Sequence, residues 1–304
     1  MNKLELLDKI LELRHIDTII SNFIDVDISD DSRIHTSFSL VETGRLSSHE
    51  DEVGKGTHLQ NVPGPTAPEE ESESFHVNVR RMFVADEGKI LIEADKKQGE
   101  NRILAYLAEE DKMKEAFKQG VDIHSFNARN IFGVREPSKV QRLYAKKRTH
   151  GWDYGLGART NEEREAKAKY FRAYPKIELW QKRIVEEVNK KRVLTNPFGR
   201  RRVFFARKGP QLWQEAYAFL PQSTLVDDVN RSMIQIFYAA EPKLQLLHQG
   251  HDSLLFQIFQ SQLEWAIDII KQNFEIPFLC GGDILTIPVE IKTGLNWGEM
   301  KEVK

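Results

Sequence analysis

Only one cysteine, Cys280, stands in the 304 residues, so no disulfide can close within the chain. The sequence also has no apolar run of membrane-spanning length and no stretch with the layout of a secretory leader. A disulfide-stapled secreted scaffold and a helical membrane protein are thereby excluded, and a reducing, cytoplasmic setting away from membranes is expected. Strong net charge is missing as well: 44 Lys and Arg against 46 Asp and Glu leave −2 at pH 7. No internal repeat is visible. What is present, 40% hydrophobic and 30% charged residues, suits one large or two modest domains, each with its own core.

The near-neutral total conceals clustering. Arg142, Lys146, Lys147 and Arg148 lie together, as do Arg200, Arg201, Arg202, Arg207 and Lys208. Such patches on a neutral chain fit a cleft that binds a polyanion, although a solvated basic face explains any one of them equally well.

Residues 4 to 24 carry apolar positions at three- and four-residue spacing and predict an amphipathic helix that resembles the tail of something larger. Residues 50 to 74, rich in Gly, Pro, Ser and acid, predict a long exposed loop. KILIEAD, residues 89 to 95, is a short apolar run ending on a carboxylate, expected as a buried strand that delivers Asp95 to the sheet's end. Helical periodicity then returns and closes on Gly120. Further helices are expected over 137 to 155, 162 to 173 and 176 to 191, the last two parted at Pro175. VLTNPFGRRRVFF predicts two extended pieces around an NPFG turn. Residues 212 to 240 predict a helix interrupted near Pro221. LQLLHQGHDSLLFQIF predicts two strands whose turn, Gly250 to Ser253, presents Asp252 at its tip. A helix near 261 to 274 and an extended end complete an α+β pattern.

Asp95 and Asp252 are each ordinary alone, since acids at strand ends and turns are mostly solvated or capping residues. Together they are more informative, because two carboxylates from neighbouring strands suit hard divalent cations and the phosphoryl-transfer chemistry such ions support. RLYAKKRTHGWDYG, residues 142 to 155, puts Arg142, Lys146, His150 and Tyr154 at intervals of four. On a helix these drift only about 40° per step and span about 18 Å, the scale of an extended nucleotide. Arg142 and Lys146 suit phosphates, and His150 and Tyr154 suit a sugar and base. A plain basic helix face would show the same periodicity.

Several segments, in order, resemble the polymerase module of family A DNA polymerases, the DNA polymerase I type. These are RIHTSFSLVETGRLSS (33 to 48), LQNVP (59 to 63), VRRMFVADEGKILIEAD (79 to 95), IHSFNARNIFG, RLYAKKRTHGWDYG, YPKIELWQ, FGRRR, QST, HQGHDS and GLNWGEM. The resemblance implies an α+β right-hand polymerase: a palm of antiparallel sheet with flanking helices, inserted helical fingers, and a thumb largely absent. The implied parts are a thumb remnant over 1–30, palm over 31–105, fingers over 106–211 and the second part of the palm over 212–304. It implies template-directed addition of dNMP to a primer 3′-OH with two Mg2+ ions, in replication or repair, in a bacterial or phage-infected cytoplasm.

By the same resemblance Asp95 and Asp252 would bind the metals, with the backbone carbonyl of Lys96. Arg142 and Lys146 would grip the triphosphate, Lys146 acting in catalysis. His150 would lie beside the sugar, and Tyr154 near the nascent base pair. Gln98, Glu100 and Lys96 would complete the nucleotide site, Glu100 as a gate against a ribose 2′-OH. Arg45, Gln60, Asn61, Arg102, Gln222 and His251 would contact primer–template DNA, whose minor-groove acceptors are nearly independent of sequence. A separate chain supplying a thumb and a 3′–5′ exonuclease is an expected partner. With no thumb of normal length preceding it, the chain alone is expected to be salt-sensitive and distributive.

The chain departs from the family pattern in three places. The usual Asp-Tyr-Ser-Gln-Ile-Glu run is Asp-Lys-Lys-Gln-Gly-Glu here, so Lys96 and Lys97 add charge beside the metal site, pointing to phosphate or to solvent, and Gly99 is expected to loosen the nucleotide pocket. Ser253 replaces a glutamate after Asp252, and His150 replaces a phenylalanine or tyrosine. The alternative is therefore a catalytically weakened, polymerase-derived nucleic-acid-binding subunit.

Overall fold

The computed structural model describes residues 3–64 and 78–303. Residues 65–74 of the expected 50-to-74 loop lie outside the described residues. In chain order the elements are α1 (Lys3–Ile19), β1 (Ser37–Leu40), β2 (Leu46–His49), β3 (Lys89–Lys96), α2 (Gly99–Leu107), α3 (Asp111–Lys118), α4 (Ile123–Phe132), α5 (Lys139–Asp153), α6 (Asn161–Ala173) and α7 (Pro175–Lys191). There follow β4 (Val193–Thr195), β5 (Arg201–Val203), α8 (Pro210–Ala240), β6 (Gln245–Gln249), β7 (Ser253–Phe259), α9 (Leu263–Phe274), β8 (Phe278–Cys280), β9 (Asp283–Leu285), β10 (Val289–Gly294) and β11 (Lys301–Glu302). Among the described residues no helix is long and apolar enough to cross a membrane.

The chain forms two compact units. The first comprises residues 1–95, 233–274 and 289–304. Its sheet runs β11-β10-β3-β7-β6, with β3 antiparallel to β7 and Asp95 opposite Ser253. Leu91, Ile92 and Ala94 of β3 are buried, as a strand covered on both faces requires. Leu91 and Leu255 join Ile19, Phe23, Val62, Val79 and Trp297 in one core cluster, which anchors the end of α1 and the β1–β2 region to the sheet.

The second unit, residues 96–232 and 275–288, is mainly helical. Its helix starts follow ordinary capping chemistry: Asp122 caps α4, Ser138 and Gln141 form a capping box on α5, Thr160 caps α6, and Pro175 opens α7. Trp152, Tyr170, Tyr174, Ile177 and Phe219 are fully or almost fully buried in its core.

Two expected elements differ. The helix expected to run on to Gly120 is two helices, broken at Glu109, whose φ is +56°. Glu110 is buried there and accepts a hydrogen bond from the Lys176 amide at 2.9 Å, so a tertiary contact ends the turn. Conversely, α8 passes through Pro221 without interruption. An interior proline costs a helix about 3 kcal/mol. Burial of Leu212, Ala216, Phe219, Leu220, Leu225, Val226 and Val229 along the same rod offsets it.

Candidate active site

In the first unit, Asp95 is the penultimate residue of β3, and Asp252 occupies the turn between β6 and β7, closed by the Gly250 amide donating to the Ser253 carbonyl at 2.8 Å. Burial, then the neighbouring charges of Asp252, Glu93 and Glu290, push the Asp95 carboxyl up to about 7, against a lowering by Lys292. Two adjacent carboxylates that resist joint ionisation are a donor set that a hard divalent cation satisfies. Among the described residues no group of three or more His, Cys, Asp or Glu side chains is placed to hold a metal ion.

Gln60, His251, Arg45 and Asn61 lie in the same unit. Gln60 accepts from the Ser48 amide at 3.0 Å and donates to the Gln249 carbonyl at 3.0 Å, tying the β1–β2 hairpin to β6. Arg45 sits partly buried at the hairpin turn, while Asn61 and His251 are exposed.

In the second unit, α5 places Arg142, Lys146 and His150 in a row that ends on Tyr154, its C-cap. Tyr154 is followed by Gly155 at φ +83°, where a Cβ would come within 2.9 Å of the Tyr217 ring. Both the left-handed backbone and the close approach therefore require glycine. Lys146 and His150 are exposed.

Arg142 is held by Asp122, through Nε at 2.7 Å and Nη2 at 3.1 Å. Asp122 also accepts from Gln98 Nε2 at 3.2 Å and from Ser125 Oγ at 2.6 Å. Burial opposes its ionisation, but the hydrogen bonds from Arg142 and Ser125 and the Arg142 charge hold its carboxyl well below the usual range. Nearby His124 is lowered to about 4, first by burial and then by Arg142, Lys146 and His150, and stays neutral. The sequence signalled neither Asp122, which immediately precedes the IHSFNARNIFG segment, nor His124 beyond its place within it.

At the other end of the row, the Tyr154 hydroxyl donates to Glu100 Oε2, and His150 Nε2 lies 3.9 Å from the same oxygen. The two rings meet edge to face with centroids 4.7 Å apart. Gln98 and Glu100 come from the start of α2, with Gln98 in the left-handed region at φ +53°. Arg102, also on α2, donates to the Lys97 carbonyl at 3.0 Å and stacks 4.5 Å from the Phe117 ring. Gln222 lies partly buried on α8.

Two expectations are corrected. The Lys96 ammonium reaches neither phosphate nor solvent: it is fully buried, 2.7 Å from equally buried Asp228 on α8. The inward side of β3's alternation falls on position 96. Gly99 does not leave a gap, because a Cβ there would meet Leu225 at 2.5 Å, so the Leu225 side chain fills that space.

The family model described as DNA polymerase family A matches residues 1–299. The chain is 31% identical over 295 residues to the thermostable DNA polymerase I of Thermus filiformis, covering 89% of this chain and 33% of that protein. It is 28% identical to DNA polymerase I of Lactococcus lactis subsp. cremoris, covering 96% of this chain and 34% of that one. The structure resembles the POL domain of Pol1 from M. smegmatis, solved in complex with a DNA primer-template and dNTP, with a TM-score of 0.78, 25% identity, and coverage of 96% of this chain and 52% of that one. The chain thus spans about a third of the length of the curated relatives it matches. With an α+β fold of this kind and the family match running over nearly its whole length, the chain belongs to DNA polymerase family A.

Proposed function

We propose that this chain is the palm and fingers part of a DNA-directed DNA polymerase, extending a primer along a template in cytoplasmic replication or repair. In this reading residues 31–105 and 212–304 act as palm and 106–211 as fingers, with residues 1–30 as the end of a thumb. The observation that carries this reading is that Asp95 stands opposite Ser253, so that Asp252, in the turn just before β7, is near enough for its charge to raise the Asp95 carboxyl.

The primer 3′-OH attacks the dNTP α-phosphate, a new P–O bond forms, and the bond to the leaving pyrophosphate breaks. Asp95, Asp252 and the Lys96 carbonyl would hold divalent cations, two Mg2+ in this reading, which when bound activate the hydroxyl and neutralise charge on the leaving oxygen. Arg142 is oriented by Asp122 along one edge of its guanidinium, which leaves Nη1 for phosphate. Lys146, one helical turn on, adds a mobile charge to the same phosphates. Tyr154 holds Glu100 beside the sugar, where the carboxylate excludes a 2′-hydroxyl. Arg45, Gln60, Asn61, Arg102, Gln222 and His251 are assigned to the DNA.

Ser253, in place of an acid, favours the reading of a weakened, nucleic-acid-binding subunit. Primer extension with Mg2+ by wild type, Asp95→Ala and Asp252→Ala separates the two. Extension by wild type with a loss of at least about a thousandfold in both variants is expected, the scale of an electrostatic device removed from a transition state. A wild type no faster than its variants would leave the binding reading.

A further inference from the structure

The basic run after β4 remains unassigned by the reaction. Residues 197 to 211, PFGRRRVFFARKGPQ, contain five cations and no acid. Two of the cations are neutralised within the fold. Arg200 pairs with Asp227 at 2.6 Å, and Arg202 with Glu215 at 3.0 Å.

Strand alternation explains the division. The inward residues are Arg202 and Phe204: Phe204 is buried edge-on against Phe219, with the Arg202 guanidinium 4.7 Å from its ring. Arg201, Val203 and Phe205 therefore face out, followed by exposed Arg207 and Lys208. Phe205 is 90% exposed and Val203 48%, the two forming an apolar strip between cations.

The strip is built on a fixed backbone. Arg192, itself at φ +60° at the end of α7, accepts the Phe204 amide at 2.9 Å and donates through Nη1 to the Ala206 carbonyl at 2.7 Å. These bonds clamp the chain on either side of Phe205. A ring held in water with cations at both ends does not contribute to the core of this unit.

We propose that this face, Arg201, Val203, Phe205, Arg207 and Lys208, binds single-stranded DNA, with Phe205 as a stacking platform for a base and the three outward cations on the flanking phosphates. Charge decides the occupant: cations without an ion pair among the described residues, around one exposed aromatic, match a strand whose phosphates are continuous and whose bases are unpaired. A protein partner would need a matching acidic rim. The proposal rests on the polymerase reading for its biological setting, the unpaired template ahead of a primer, but its chemistry stands apart from the aspartates.

The test is fluorescence anisotropy with the full chain, using a labelled primer–template with unpaired template extensions of increasing length and a labelled oligothymidylate. Wild type is expected to bind longer extensions more tightly. Phe205→Ala should reduce that gain and oligothymidylate binding by about 5- to 150-fold, one base's stacking. Phe205→Trp should preserve both, and Arg201→Ala/Arg207→Ala should flatten the salt dependence. Unchanged binding by Phe205→Ala overturns the proposal, as does a wild type that does not bind oligothymidylate, or a Phe205→Ala effect confined to self-association. Primer extension in the same samples keeps the readings distinct. Active Phe205→Ala with unaltered binding removes only this face, whereas Phe205-dependent DNA binding by a chain that extends no primer supports the face and removes the polymerase reading.

Discussion

His150 carries an imidazole at a position where the resemblance to family A polymerases leads one to expect a plain aromatic ring, and the surroundings give it something to act on. Its Nε2 lies 3.9 Å from a Glu100 oxygen already bonded by Tyr154. In the proposed site this polar group stands beside the sugar, so His150→Phe should shift the ratio of deoxy to dideoxy incorporation several-fold. Single-turnover rates on one template measure it, and equal ratios would remove His150 from sugar selection. Lys96 makes a separate prediction. Its buried pair with Asp228 means that Lys96→Met alone strands a charge and should cost about 3–5 kcal/mol, whereas Lys96→Met with Asp228→Leu should recover most of that. Urea midpoints of the three proteins report this directly. The sequence disclosed Lys96 as an addition beside the metal site but not its destination, because Asp228 is supplied by a helix far along the chain.

At the level of elements, the face of α5 was legible from four-residue spacing, and its end from Gly155. The network beneath it was not. Asp153 is fully buried and accepts from the Tyr170 hydroxyl at 2.6 Å, and Gln181 donates to the Trp152 and Asp153 carbonyls at 2.8 and 2.9 Å. This fixes the end of the helix from which Tyr154 projects. Burial pushes the Asp153 carboxyl up to about 8, with Glu100 adding to the rise and the Tyr170 hydrogen bond opposing it. The folded state thus holds a proton that the unfolded state releases near 4. Stability from this group is complete below that lower value and is lost as pH rises from there through about 8. Asp153→Asn cannot ionise, so its denaturation midpoint should fall less than the wild type's between pH 6 and 9, by on the order of 1 kcal/mol or more. Parallel curves would show that Asp153 does not titrate in the fold. The expectations at Gly99, made from the family resemblance, and at Pro221, made from the sequence pattern, both failed because they depend on packing by distant residues: Leu225 at the glycine, and a long buried face at the proline.

Across the whole molecule, order carried more information than any single motif. Asp95, Asp252, Arg142 and Tyr154 come from segments scattered along the chain, and their sequence assigned both the family and the α+β class. It did not disclose Asp122, which orients Arg142, or the clamped ring of Phe205, because such partnerships arise only when distant segments meet. The central claim is that these parts add nucleotides under the direction of a template. Single-nucleotide incorporation on four primer–templates that differ only in the first unpaired template base, each offered all four dNTPs in turn with Mg2+, tests it most directly. The account predicts rapid addition of the complementary nucleotide on each template, abolished by Asp95→Ala. Addition indifferent to the template base, or no addition above that of the Asp95→Ala variant, would contradict it.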